Sequence, residues 1–313
     1  MNMRILVIGA GMVGSTSASS IAARGLGTVF LHDVVEDLAL GRAMDINHSL
    51  PSSSSDSSVI GCNTIQEAGR ADIVVITAGM ARKAGMTRLD LLRHNAAVIT
   101  SLAPVLASQC PDARVLLVTN PVDVLTWHLK GLCPAMRIMG LGCSLDMVRL
   151  RHFIARASGV SVESVGAMVI GTHDDNMIPL VKRASLAGIP ATSVLRPEDM
   201  PDIIQRTKTA GSAIVNSMKT HSGHYAAGGV ISLIVESMVL DRGMVFPVSV
   251  CLNGEYGYRD VCLSLPCIID AEGVRQVVEM GLDEQEKGLL EICARSIREQ
   301  REILRTWEGS SCR

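Results

Sequence analysis

Short aliphatic runs alternate with longer amphipathic stretches through the first half of the chain, and residues 4–8, 29–32, 73–77, 115–119 and 137–140 read as strands. Runs of Val, Ile and Leu with little alternation belong to strands covered on both faces, and the intervening helical stretches supply the cover. The pattern predicts an α/β fold: a Rossmann-type doubly wound parallel sheet that ends near residue 143. Beyond it the pattern changes to a helix over 145–158, β-rich runs at 165–170, 245–252 and 261–269, and long helices over 203–219, 230–240 and 283–306. The turn signal Asn253-Gly254-Glu255-Tyr256-Gly257 separates two of those runs and predicts an antiparallel pair. The expected organisation is therefore a Rossmann-type domain over 1–143 and a C-terminal α+β domain over 144–313, packed tightly because no flexible linker intervenes.

With 313 residues the chain can bury a large core, and a formal net charge of -2 with interspersed signs offers no field for a polyanion such as nucleic acid. Its apolar runs are too short to cross a bilayer. The N-terminus, Met1-Asn2-Met3-Arg4-Ile5, passes at once into a strand, which leaves no room for a signal peptide and points to a cytoplasmic location. The nine cysteines are scattered and never spaced C-x-x-C, so they suggest buried thiols rather than a zinc site or a disulfide framework. Residues 51–58, nearly all serine, read as a surface loop without chemistry.

Chemistry enters with Gly9-Ala10-Gly11-Met12-Val13-Gly14, which follows the first strand and opens a helix-compatible run. Glycines at that spacing allow a tight turn, close approach of backbone to a pyrophosphate and close helix–strand packing. Asp33 ends the next strand, at the distance expected of a carboxylate that holds the adenosine ribose. A carboxylate there repels a 2′-phosphate, and Val34-Val35-Glu36-Asp37 brings no compensating arginine, so NAD is expected rather than NADP. His32 receives no role.

Arg82 and Arg88 bracket a short glycine-containing segment after the strand at 73–77, at the edge where open α/β sheets bind ligands. Two guanidiniums there can close over a small anion, although an isolated pair is as well explained by solvated loop charges. Asn120-Pro121-Val122-Asp123 ends another strand at the same edge. Asp146 and Arg149 are three residues apart and so share a helix face, an arrangement that is often only a surface ion pair. His173, in Gly171-Thr172-His173-Asp174, follows an apolar run at a turn and could equally be a core histidine.

Taken together and in order, these motifs closely resemble the malate/lactate dehydrogenase family over nearly the whole chain. The segment from Arg82 to Arg88 is similar to the malate branch nearest in sequence to the lactate dehydrogenases. The resemblance implies that Arg82 recognises a second substrate carboxylate, Arg149 the first, and that Asn120 orients substrate and nicotinamide. It implies His173 as the acid/base, Asp146 as its orienting partner, and Arg88 as the group that stabilises charge on the reacting oxygen. To the cofactor set Gly9, Gly11, Gly14 and Asp33 it adds Met12, Val13, Asn95, Thr119 and Asn120, and it implies a homodimer or homotetramer with contact surfaces near 42–50 and 145–158.

Two departures from the family stand out. Asp174 occupies a position where the family usually has glycine, so the turn could be altered, or a second carboxylate could favour protonated His173; an outward-facing Asp174 is the expectation. Thr220-His221-Ser222-Gly223-His224-Tyr225 replaces smaller residues with two histidines around Gly223, which aligns with a pocket floor. The leading expectation is an NAD-dependent malate dehydrogenase. Its rivals are a dehydrogenase of another 2-hydroxy acid, such as lactate or a sulfonate analogue of malate, a catalytically silent NAD-binding regulatory protein, and, least suited to the arginines, a methyltransferase.

Overall fold

The computed structural model describes residues 3–80, 87–219 and 222–311, with the side chains of Arg88 and of 308–311 outside that description. The dinucleotide half runs β1 (Arg4–Ile8), α1 (Met12–Ala23), β2 (Thr28–His32), α2 (Leu38–Ser49), β3 (Ser58–Cys62), α3 (Ile65–Ala68), β4 (Ile73–Ile76), α4 (Arg88–Gln109), β5 (Arg114–Leu117), α5 (Val122–Leu132) and β6 (Arg137–Gly140). The second half follows with α6 (Ser144–Ser158), the two-residue strands β7 (Val165–Gly166), β8 (Val169–Ile170), β9 (Ile178–Pro179), β10 (Ser185–Leu186) and β11 (Ile189–Pro190), then α7 (Asp199–Met218), α8 (Tyr225–Val239), β12 (Met244–Asn253), β13 (Arg259–Asp270), β14 (Gly273–Val277) and α9 (Glu284–Ser311).

The six strands of the first half are parallel in the order β3-β2-β1-β4-β5-β6, so chain direction across the sheet reverses between β1 and β4. That reversal opens a crevice at the carboxyl ends of the strands, where such sheets take ligands. Every residue of β4 is buried, as are all but the first of β1 and β2, which is why these strands show no alternation. β3 is absent from the sequence reading because it is a half-exposed edge, Ser-Val-Ile-Gly-Cys, whose apolar pattern is broken by serine and glycine. The serine-rich segment before it is a short 3-10 turn, Leu50–Ser53, and a loop.

The second half is less independent than the sequence suggests. β12 pairs antiparallel with β6 through Ser249↔Gly140, and β13 and β14 follow as an antiparallel meander, which makes a sheet of nine strands among the described residues. Gly140 makes that seam possible, since a Cβ there would stand 2.3 Å from Thr126 Oγ1 and 3.0 Å from Ser249 Cβ. The run expected over 165–170 is two strands with different partners, β7 on β10 and β8 on β9. The expectation of unpaired cysteines fails at one place. In the antiparallel register Cys251 lies opposite Cys262, with Cα atoms 4.1 Å apart, and the two form a disulfide. Spacing in the chain cannot show this, because the pairing exists only once β12 and β13 are in register. Cys62, Cys110, Cys133, Cys143, Cys267 and Cys293 are buried free thiols.

α6 buries Leu145, Met147, Leu150 and Ile154 within the chain, where it packs against α7 and α8, and keeps Val148 and Phe153 half-buried. α2 exposes Met44.

Candidate active site

The glycine turn lies between β1 and α1 at the sheet's reversal. Gly9 has φ 106°, and a Cβ on it would stand 2.7 Å from Thr77 Oγ1 and 2.8 Å from the Ala78 nitrogen, so only glycine fits. A Cβ on Gly14 would collide with the Gly9 carbonyl oxygen at 1.8 Å. Gly11, by contrast, is exposed at the N-cap of α1 with nothing within 4 Å of an ideal Cβ, and the first turn of α1 carries no acidic side chain. An open approach to unpaired backbone N–H groups at a helix N-terminus suits a pyrophosphate. Met12 and Val13 are half-buried in that first turn.

Asp33 is tied to the same turn, accepting the Ala10 N–H at 2.6 Å through Oδ2 and the Val35 N–H at 3.0 Å through Oδ1. Each oxygen keeps a lone pair, so the aligned carboxylate can still accept ribose hydroxyls. These features fit a bound NAD. His32, buried with Nδ1 3.2 Å from the Cys62 carbonyl, is a packed residue.

Thr119 and Asn95 brace the neighbouring strand ends. Thr119 Oγ1 donates to the Ala78 carbonyl at 2.7 Å. Asn95 accepts the Met80 N–H at 2.7 Å and donates to the Met80 and Asn120 carbonyls at 3.1 and 2.7 Å, so both its amide hydrogens are committed and it has no exposed surface. It therefore sets the position of Asn120, itself exposed, rather than presenting its own amide. Arg82 lies outside the described residues, as does the Arg88 side chain. The backbone of α4 starts at Arg88 behind a capping box in which Thr87 Oγ1 accepts the Asp90 N–H at 3.0 Å and Asp90 accepts the Thr87 N–H at 3.1 Å.

His173, Asp146 and Arg149 converge as the sequence suggested. His173 Nδ1 donates to Asp146 Oδ2 at 2.5 Å, and Arg149 Nη1 donates to the other oxygen, Oδ1, at 3.0 Å. Asp146 is fully buried while the His173 and Arg149 side chains retain 16% and 13% exposure. One buried carboxylate thus aligns two partly exposed groups, and its bond to Nδ1 leaves Nε2 as the ring atom free for chemistry. Burial pulls the proton affinity of His173 down, but the charge and hydrogen bond of Asp146, with the charge of Asp123, more than offset it and leave the imidazole above its ordinary value.

Asp174 corrects the expectation of an outward carboxylate. Its Oδ1 accepts both the Thr172 hydroxyl and the Asn176 N–H at 2.8 Å, so it closes the turn that follows Gly171. Two residues escaped notice although they shape the site. Asp123, inside the quoted Asn-Pro-Val-Asp motif, is buried and accepts the His173 backbone N–H at 2.8 Å, and burial pushes its carboxyl up to about 6. Gly211 on α7 lies against Arg149, where a Cβ would stand 3.6 Å from Nη1. Only the first had a signal in the sequence. Gly223 packs against Ile214, 3.4 Å from its would-be Cβ, and His224 is buried with Nδ1 3.2 Å from the Ser222 carbonyl; His221 lies outside the described residues.

Comparison with known proteins agrees with this geometry. Residues 3–140 match the family model for the lactate/malate dehydrogenase NAD binding domain, and residues 143–304 match that for the lactate/malate dehydrogenase alpha/beta C-terminal domain. A malate dehydrogenase of Trichormus variabilis is 40% identical over 297 residues, covering 94% of this chain and 91% of that one. The solved structure of malate dehydrogenase from Salinibacter ruber superposes with a TM-score of 0.93 at 32% identity, covering 99% of this chain and all of that one. Lactate dehydrogenase from Eimeria maxima, solved with NADH and oxamate, superposes equally well, with a TM-score of 0.93 at 32% identity over 100% of this chain and 97% of that one. With the NAD-binding turn, the His173–Asp146–Arg149 cluster and both halves accounted for, the chain belongs to the lactate/malate dehydrogenase family and is an NAD-dependent dehydrogenase.

Proposed function

We propose that this dehydrogenase interconverts (S)-malate and oxaloacetate. The observation that carries the reading is the single buried carboxylate of Asp146, which holds an acid/base imidazole and a carboxylate-binding guanidinium side by side. In this reading residues 1–143 hold the cofactor through Gly9, Gly11, Met12, Val13, Gly14, Asp33, Thr119 and Asn120, with Asn95 acting through Asn120. Residues 144–313 supply the substrate side. When bound, NAD supplies the hydride acceptor in one direction and the donor in the other.

Arg149 takes the C1 carboxylate in a charge-assisted pair, and Arg82 takes the C4 carboxylate. Asn120 orients the reacting carbon, and His173 Nε2 removes the hydroxyl proton in oxidation and returns it in reduction. Asp146 stabilises the imidazolium so formed, and Arg88 stabilises charge on the reacting oxygen. Arginine at residue 82 supports a dianionic substrate over lactate, and the curated relatives named malate dehydrogenase support the same choice.

The test is NADH oxidation with oxaloacetate, pyruvate and sulfopyruvate side by side. Oxaloacetate should be preferred; a preference for either other acid, or no turnover with any, overturns the proposal. The chain is proposed to work as a homodimer or homotetramer in the cytoplasm. Exposed Met44 supports a contact face on α2. No helix among the described residues is long and apolar enough to cross a membrane.

A further inference from the structure

Asp123 is a buried carboxylate without a salt-bridge partner among the described residues. Its hydrogen-bond donors include two from remote parts of the chain. Its Oδ2 accepts the His173 backbone N–H at 2.8 Å, and its Oδ1 accepts the Ser264 hydroxyl at 3.0 Å. Ser264 Oγ in turn accepts the backbone N–H of Cys143, the N-cap of α6, at 3.1 Å. The Ser264 backbone exchanges two hydrogen bonds with Gly171, two residues before His173, at 2.9 and 2.7 Å. A Cβ on Gly142 would meet Ser264 Oγ at 2.4 Å, so the chain is drawn in as far as glycine permits.

These contacts join three elements that each carry part of the site. Asp123 lies in the first turn of α5, three residues after Asn120. The loop it holds carries His173, and the helix that Ser264 caps carries Asp146 and Arg149. Ionised groups are costly to bury without a cation, and a carboxylate kept under these conditions calls for a use that an apolar residue could not serve.

We propose that Asp123 is a positioning residue for the acid/base step: with Ser264 it sets where His173 stands relative to Asn120 and Asp146, and its negative charge helps keep a proton on the imidazole. The groups that face it are His173 and Asp174 from the loop, Ser264 and Ser249 from β13 and β12, Cys143 before α6, and Cys293 from α9. Among these only His173 can carry a positive charge. Removing the carboxylate's charge therefore acts first on His173.

This inference rests on the proposed chemistry, so the wild-type assay with oxaloacetate comes first; failure there counts against that chemistry and is visible before any variant is made. The test of Asp123 itself starts without cofactor, by following the His173 imidazole through a pH titration by NMR, with His173→Asn identifying its resonances. In Asp123→Asn the amide oxygen still accepts the His173 N–H, and the ring should titrate about one pH unit lower than in wild type. The acid limb of malate oxidation should move down with it.

Asp123→Ala removes the anchor as well as the charge, and kcat should fall about tenfold or more while NADH affinity is kept; Asp123→Asn should recover most of that loss. Ser264→Ala keeps the charge, so it should lower kcat and leave the titration in place. An imidazole that titrates alike in wild type and Asp123→Asn overturns the proposal. So does an Asp123→Ala protein that is folded by circular dichroism and turns over at the wild-type rate.

Discussion

Two backbone N–H groups already hold the Asp33 carboxylate, so its orientation is set before any cofactor arrives. If Asp33 holds the ribose as proposed, replacing it with Ser removes an acceptor and a source of repulsion toward a 2′-phosphate, and the ratio of NAD to NADP efficiency should fall. A wild-type preference for NADP in steady-state kinetics would contradict the assignment. At His173, Asn cannot carry the proton, so His173→Asn should lower turnover by about a hundredfold or more and spare NADH binding measured by fluorescence. Arg82→Gln tests the other end of the substrate. Loss of one partner from a closed charged pair costs about 2–5 kcal/mol, so oxaloacetate reduction should drop by roughly thirtyfold to several thousandfold. Pyruvate reduction should hold or improve, because no unpaired charge then faces its methyl group.

At the scale of elements, the approach of α8 to α1 is set by Gly228, whose would-be Cβ stands 2.6 Å from Thr16 Cγ2 and 2.9 Å from the Thr16 carbonyl carbon. The same pair is secured from the other end by Glu236 on α8, buried, with Arg24 and Arg242 each 2.5 Å from it. In the proposed reading α1 presents its N-terminus to the cofactor, so the α8 contact helps aim it. Gly228→Val should force the helices apart and lower stability by about 1–3 kcal/mol. The melting temperature should fall and NADH should bind more weakly; an unchanged melt would show that α1 yields without cost.

Over the whole molecule the two titrating groups of the site make both activity and stability depend on pH. His173 lies above its ordinary value in the folded protein. If His173 is the acid/base as proposed, oxaloacetate reduction needs it protonated and should decline as pH rises through that raised value, whereas malate oxidation should decline as pH falls through it. Asp123 is pushed from 3.8 up to about 6, chiefly by burial. A group whose folded value is raised stabilises the fold below its unfolded value, and that contribution is lost as pH rises through the folded one. Between about pH 4 and pH 6 the fold should lose on the order of 3 kcal/mol from this carboxylate. Asp123→Asn lacks the charge, so it should melt above wild type at pH 8 and close to it at pH 4. A lower melt at pH 8 would mean that the hydrogen bonds of Asp123 outweigh the cost of burying it.

The parallel half was legible from the chain because its strands are buried on both faces and therefore written in Val, Ile and Leu, and because glycine at residues 9 and 14 answers a steric demand local to the turn. Asp33 was legible from its place after the second strand, whereas Asp146, Arg149 and His173 were legible only as an ordered set that resembles the family, because spacing alone left each of them a structural alternative. Long-range register was not. Whether β12 would extend the sheet beside β6, whether Cys251 would meet Cys262, and which carboxylate would lie beneath His173 depend on contacts between residues far apart in sequence. Asp174 shows the same division: the sequence pointed to an outward-facing carboxylate, and only the folded loop decided that it would accept from Thr172 and Asn176. The sequence by itself determined which residues could do the chemistry, because that is a property of side chains. The tertiary structure decided how they are held, because a buried carboxylate such as Asp123 finds its donors only where α5, the His173 loop and β13 meet.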